Sequence, residues 1–256
     1  MKILHVITGL STGGAERALF NILSGGLAEK HDVAVLSLRD EGTYGPRIQS
    51  LGVPVYASGM RRGVPRPSAV DGLRRIAREF RPDVIQGWMY HGNLAATLAA
   101  RMAHRPKPAV AWNVRHSLYS LSAEKVLTRQ VIRANRLASL STDSILYNSS
   151  LSREQHEAFG FASLQGYVIP NGFDTERLSP NPARGRETRQ ALGIPEDVVV
   201  IGHVARFHAM KDHASFLRAA VQVSRNRSDV VCLLAGRNVN LSNPALAGIV
   251  PPDLEG

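Results

Sequence analysis

Apolar and polar positions fall into short alternating blocks along the chain. Ile3–Ile7 is a run rich in β-branched residues. After a stretch of Gly and Ser, Ala15, Ala18, Leu19, Ile22 and Leu23 recur at helical spacing. Val33–Leu38 has the length and composition of a buried strand. Val53–Tyr56, Val84–Gln86, Ala109–Trp112, Ser144–Tyr147 and Val168–Ile169 repeat that signal. Helical patterns fill the intervals at Ala69–Phe80, Asn93–Ala103 and Ala123–Leu137. Strands alternating with helices in this way predict a parallel sheet covered on both faces.

The pattern breaks at Pro180–Arg189, where Ser179-Pro180-Asn181-Pro182, Gly185 and several Arg read as a linker. It restarts with a strand at Val198–Val204, a loop at His203–Met210, and a helix opened by Lys211. Phe216, Leu217, Ala220 and Val221 form the apolar face of that helix, and Val230–Ala235 is the next strand. Two strand–loop–helix openings, at Ile3 and at Val198, predict an α/β chain of Rossmann-like design. A doubly wound parallel sheet over 1–178 would be followed by a linker at 179–196 and an incomplete second Rossmann-like domain at 197–256. The tail, Asn238–Gly256, is rich in Asn, Pro and Gly and reads as unstructured.

Composition adds limits. Hydrophobic residues make up 44% and charged residues 20%, an ordinary globular balance. One cysteine, Cys232, sits in an apolar run, which suits a reducing, cytoplasmic setting. No apolar segment is long enough for a signal-peptide core or a membrane span, so a protein in solution or peripheral to the inner face of a membrane is expected. The net charge of +10 fits an anionic nucleotide, an anionic membrane surface, or solvated Arg spread over the surface. Nucleic acid is disfavoured, because the basic residues are not grouped with stacking aromatics.

The first loop, Gly13-Gly14-Ala15-Glu16-Arg17, joins a strand to a helix. Adjacent glycines allow close backbone approach, and a helix start offers free N–H groups to an anion. It is neither a dinucleotide fingerprint nor a P-loop, and a tight turn that packs helix on strand is the plain alternative. Arg206-Phe207-His208-Ala209-Met210-Lys211 follows a second strand. There a guanidinium and an ammonium could hold a diphosphate where open α/β sheets bind ligands.

These segments resemble the group-4 glycosyltransferases of GT-B fold. So do Gln86-Gly87-Trp88-Met89-Tyr90-His91-Gly92-Asn93-Leu94, Trp112-Asn113-Val114-Arg115-His116-Ser117 and Val168-Ile169-Pro170-Asn171-Gly172-Phe173-Asp174. The resemblance implies a retaining, metal-independent transfer of a sugar from a nucleotide-sugar to a carbohydrate or lipid-linked acceptor, in polysaccharide or glycolipid synthesis. It places His116 against the reacting sugar and the acceptor at Gly13, Gly14 and His91. Arg206 and Lys211 would hold the donor diphosphate, with Asn171 and Gly172 lining a cleft between the domains. No cofactor and no metal is implied beyond the nucleotide-sugar substrate, and no Asp-x-Asp pair occurs.

The chain departs from that family in one respect. The family's second domain carries Glu-x7-Glu, yet no two glutamates here have that spacing. The expectation is that the chain stops partway through its second domain, that an apolar sheet face is left exposed, and that residues 1–256 alone are inactive or nearly so. A non-catalytic remnant or binding module needing a separate partner half is the rival reading. A Rossmann oxidoreductase is a third, opposed by the missing dinucleotide fingerprint.

Overall fold

The computed structural model describes residues 1–60, 67–249 and 251. The chain divides into two compact units, Met1–Asp174 and Thr175–Gly256.

The first unit is built on a seven-stranded sheet of order β3-β2-β1-β4-β5-β6-β7 in which every pair is parallel. The strands are β1 (Lys2–Ile7), β2 (Asp32–Ser37), β3 (Val55–Ala57), β4 (Val84–Trp88), β5 (Ala109–Val114), β6 (Ser144–Tyr147) and β7 (Gly166–Val168). Helix α1 (Gly14–Ile22) runs through a π-type stretch into α2 (Ala28–Lys30), with Gly26 at φ 104° marking a kink that glycine tolerates. Then come α3 (Gly45–Gln49), α4 (Pro67–Phe80), α5 (Met89–Met102), α6 (Val126–Ala138) and α7 (Ser150–Ala158).

Neighbouring residues of β1 belong to opposite cores. Leu4 and Val6 join Leu36, Ile85, Trp112, Ile132 and Tyr147 in one cluster. Ile3 and Ile7 join Leu19, Leu23, Val35, Ile48 and Trp88 in the other. Both faces are therefore covered, which is why β1 and β2 read as continuous apolar runs rather than alternating ones.

Helix α5 starts earlier than its periodicity indicates. The apolar repeat becomes visible near Leu94, but the helix begins at Met89, which turns the chain sharply out of β4 in the left-handed region at φ 60°. That conformation costs a non-glycine residue roughly 1–2 kcal/mol and persists only where its surroundings enforce it.

The second unit holds α8 (Pro182–Ala191), β8 (Val199–Val204), α9 (His213–Asn226), β9 (Val230–Ala235) and α10 (Pro244–Ala247). Strands β8 and β9 are parallel and joined through α9, a single βαβ crossover. Val199, Ile201 and Val204 on β8 are exposed.

Two segments differ from the sequence expectation. The stretch expected as a linker contains α8, and the tail expected to be unstructured contains α10. In both, an asparagine caps the first turn and a proline follows it: Asn181 accepts from Arg184 N–H, and Asn243 accepts from Ala245 N–H. Proline is well tolerated at the first helical position, so Asn-Pro here starts helices instead of breaking the chain. Among the described residues, no helix is long and apolar enough to cross a membrane.

Candidate functional site

In the first unit the chain leaves β1 toward β2 and β3, then returns to place β4 on the other side of β1. The strand order reverses between β1 and β4, and ligands of open α/β sheets bind outside the carboxyl ends of strands at such a point. The loop after β1 carries Gly13 and Gly14. Gly13 caps α1 in an extended conformation with no side-chain capping bond. A Cβ at Gly14 would meet nothing within 4 Å, so internal packing does not require glycine there. At Gly13 a Cβ would run into the Glu16 carboxylate, which folds back over the turn. Burial raises the Glu16 pKa, and its backbone hydrogen bond opposes the rise.

From β4, the turn at Met89 delivers Tyr90 inward and His91 outward. His91 is exposed, and partial loss of hydration lowers its pKa. Gly92 lies against β1: a Cβ there would stand 2.5 Å from the Val6 carbonyl oxygen. Trp88 at the end of β4 is buried, and its Nε1–H donates to His5 Nδ1 at 3.2 Å.

His116 follows β5 and is braced by several contacts. Its Nε2 lies 2.8 Å from Glu124 Oε1, and its carbonyl accepts from Ser152 Oγ at 2.6 Å. The Tyr90 ring meets it edge-on, with centroids 6.1 Å apart. Tyr90 is itself fixed, because its hydroxyl lies 2.7 Å from His156 Nε2. His156 Nδ1 is 2.7 Å from the Ser152 carbonyl, which can only accept. The proton of neutral His156 therefore sits on Nδ1, and Tyr90 donates to Nε2. Burial lowers the pKa of His156 and raises that of Tyr90, so both stay neutral. Glu124 is held in turn by Arg129, whose Nε donates to the Glu124 carbonyl at 2.7 Å.

An ionised Glu124 accepts only, so the neutral His116 ring carries its hydrogen on Nε2 and leaves Nδ1 free to accept. Nitrogen-15 spectra of the neutral ring should show the Nε2–H tautomer in the native chain and a tautomer mixture in Glu124→Ala. An Nδ1–H tautomer in the native protein would overturn this assignment.

Arg115 ties the end of β5 to the segment after β7. Its guanidinium donates to Asn113 Oδ1 at 3.2 Å and to Asn171 Oδ1, and it lies over the Trp88 ring at 5.7 Å. Burial lowers its pKa. Asn171 and Gly172 are exposed, and a Cβ at Gly172 would meet nothing within 4 Å. Asn171 thus belongs with the edge that carries His116.

In the second unit, Arg206 is exposed just beyond the end of β8. Backbone hydrogen bonds from Ala205 N to the Ala235 carbonyl and from Phe207 N to the Arg237 carbonyl pair this segment with the chain leaving β9. Gly236 permits the pairing, because a Cβ there would stand 1.9 Å from the Ala205 carbonyl oxygen. His213 Nε2 donates to that same carbonyl at 3.2 Å, and its ring packs on His203 and Phe207.

Lys211 does not open α9. It ends a 3-10 turn, Ala209–Lys211, after which Asp212 caps α9 through Ser215 N–H. The aspartate takes the capping position because its carboxylate satisfies a free N–H of the first turn, leaving the lysine outside the helix. His208, within the same loop, uses Nδ1 to accept from Met210 N–H at 3.2 Å. Among the described residues, the side chains of Arg206 and Lys211 have no hydrogen-bonding or ionic partner. The two unpaired cations share one loop, while the Asp212 carboxylate itself occupies the N-terminal end of α9.

The structure thus brings His116 together with Glu124, Tyr90 and, through Arg115, Asn171. Gly13, Gly14 and His91 stand at the same carboxyl edge, and Arg206 and Lys211 share one loop of the second unit. Sequence reading missed Glu124, Arg115 and Gly236. Among the described residues, no three His, Cys, Asp or Glu side chains gather as metal ligands would.

Comparison with known proteins gives this geometry a context. The sequence model of Glycosyltransferase Family 4 matches residues 12–177. EpsF of Bacillus subtilis (strain 168), whose name proposes a glycosyltransferase, is 28% identical over 251 residues, which is 92% of this chain and 62% of that protein. The fold is shared with Anabaena Alr3699/HepE, solved in complex with UDP and glucose, at 21% identity and a TM-score of 0.74. That match covers 91% of this chain and 60% of the other. A glycosyltransferase from Rickettsia africae ESF-5 superposes with a TM-score of 0.72 at 15% identity, over 96% of this chain and 62% of that one. The chain therefore spans about 60% of the length of these relatives.

Proposed function

Because the chain belongs to Glycosyltransferase Family 4, we propose that it serves the transfer of a sugar from a nucleotide-sugar donor to a carbohydrate or lipid-linked acceptor, in polysaccharide or glycolipid assembly. The observation that carries this reading is the unpaired Arg206–Lys211 pair on a loop pinned by Gly236. In this reading the guanidinium grips the diphosphate of the donor, and the ammonium adds a second positive charge. As the bond from sugar to phosphate breaks, negative charge grows on the departing nucleoside diphosphate. The two cations stabilise that charge without a metal ion. UDP in the HepE complex supports a uridine nucleotide as the first donor to test.

The first unit supplies the acceptor residues. The open space at Gly14 leaves room for a ligand against the backbone, and His91 stands at the same sheet edge. His116, with Nδ1 free, accepts a hydrogen bond from a sugar hydroxyl or, when protonated, donates to developing negative charge. Asn171, fixed by Arg115, and Gly172 contact the donor. We assign the transfer retention of configuration on the family resemblance.

Calorimetric titration with UDP tests the donor assignment. The 256-residue chain is expected to bind, and Arg206→Ala or Lys211→Ala should each weaken binding by about 10- to 100-fold, the loss of a charge-assisted hydrogen bond. Unchanged affinity in both variants, or stabilisation of the native chain by NAD and not by UDP, would refute it.

A further inference from the structure

A helix start that receives phosphate has free N–H groups and no anion of its own. Neither strand–loop–helix opening of this chain meets that description. Asp212 caps α9. In α1, Gly13 supplies no side-chain cap, and Glu16, the third residue of the helix, takes over that place. Its carboxylate folds back over Gly13 and bonds the backbone N–H of its own residue. A negative charge in the first turn is favoured by the helix dipole.

That carboxylate has accepting capacity to spare. It is half-buried, and no Arg, Lys or His pairs with it among the described residues, although Arg17 is next to it in sequence. An ionised carboxylate has about four lone-pair sites, so one backbone bond leaves most of them open. Beside it lies open space, because Gly14 is exposed and a Cβ there would meet nothing within 4 Å. The loop is held and does not swing the carboxylate away. Tyr44 N–H donates to the Leu10 carbonyl at 2.8 Å, and a Cβ at Gly42 would stand 2.5 Å from the Leu10 carbonyl carbon. Thr12 Oγ1 donates to Thr43 Oγ1 at 3.4 Å, and both threonines are exposed. Carboxylate and hydroxyl groups on a held loop suit the hydroxyls of a sugar. The same negative charge repels phosphate.

We propose that Glu16 sets acceptor specificity: it bars phosphate from the loop after β1 and accepts hydrogen bonds from the hydroxyls of an uncharged sugar. This selectivity deepens the transferase reading and rests on it. Charge then sorts the two substrates. The free carboxylate stands on the loop of the first unit, and the free cations Arg206 and Lys211 stand on that of the second. In a lipid-linked acceptor, the terminal sugar and not a phosphate meets the loop after β1. A glutamate serving only as a helix cap would change the stability of α1 and nothing about what the loop binds.

Amide spectra of the 256-residue chain, read at Gly14, Ala15 and residue 16, test the proposal. The probes are inorganic phosphate, glucose, galactose, mannose and N-acetylglucosamine. In the native chain these amides should respond to at least one of the sugars and not to phosphate. Glu16→Ala should bind phosphate at least about tenfold more tightly than the native chain and lose the sugar response, at unchanged circular dichroism. Glu16→Gln keeps an accepting oxygen without the charge, so it should admit phosphate and retain the sugar. A native phosphate response equal to that of Glu16→Ala would overturn the proposal. So would exclusion of phosphate in both variants, or no sugar response in the native chain. UDP titration of the native preparation keeps the two readings apart. Absent UDP binding with the phosphate contrast intact falls on the donor assignment, and a missing contrast with UDP bound falls on Glu16 alone.

Discussion

Gly92→Ala is expected to lower the stability of the chain by about 3 kcal/mol or more, as overpacking against a rigid neighbour does. The Cβ would stand 2.5 Å from the Val6 carbonyl oxygen, 3.3 Å from its carbon and 3.4 Å from Ile7 Cα. These are backbone atoms of β1, paired to β2 on one side and β4 on the other, so no side-chain rotation relieves the clash. Helix α5 cannot simply slide away either, because Met89 fixes its start in a left-handed turn and Gly87 on β4 lies under Asn93 with similar closeness. Denaturant unfolding of the variant beside the native chain measures the effect. A loss under about 1 kcal/mol would show that α5 shifts at little cost.

The second large effect is a dependence of stability on acidity. His5 is buried in the sheet, and burial pushes its pKa down from 6.5 to about 4. The unfolded chain therefore takes up a proton below pH 6.5 that the folded chain refuses until about pH 4. The contribution is fully present above pH 6.5 and is lost as the pH falls toward 4, a swing of about 3 kcal/mol. His156, also shifted downward by burial, adds in the same direction. His5→Asn keeps an acceptor for Trp88 Nε1 but does not titrate. Unfolding at pH 7.5 and pH 4.5 should show a clearly smaller acid loss in this variant than in the native chain. Equal losses would mean that His5 is protonated in the folded state.

Much of the fold could be read from the residues because burial on both faces writes β1, β2 and β5 as apolar runs. The helices between them show their inner stripes. Glycines beside strand ends marked the Gly13–Gly14 loop, and the two cations of the second unit stood out by their place after a strand. What stayed hidden depends on contacts distant in sequence or on conformations that sequence does not advertise. Glu124 looks like any surface glutamate until the chain folds it onto His116, eight residues earlier. Gly236 looks like a turn residue, yet its role is to let the chain leaving β9 touch Ala205. Met89 in the left-handed region has no sequence mark, so the first turn of α5 read as a motif instead of a helix. The helix starts at Pro182 and Pro244 were obscured because proline signals both an ending and a beginning.

The pin at Gly92 also has a mechanical meaning. With no side chain between them, the first turn of α5 and the top of β1 form a single stiff bracket carrying Tyr90 and His91. Residues 115–125 at the same sheet edge are held differently, by side-chain tethers from outside the segment: Ser152 to His116 and Arg129 to Glu124. One part is fixed by backbone contact and the other hangs on side chains, so a single side-chain substitution can loosen 115–125, whereas the bracket yields only if backbone moves.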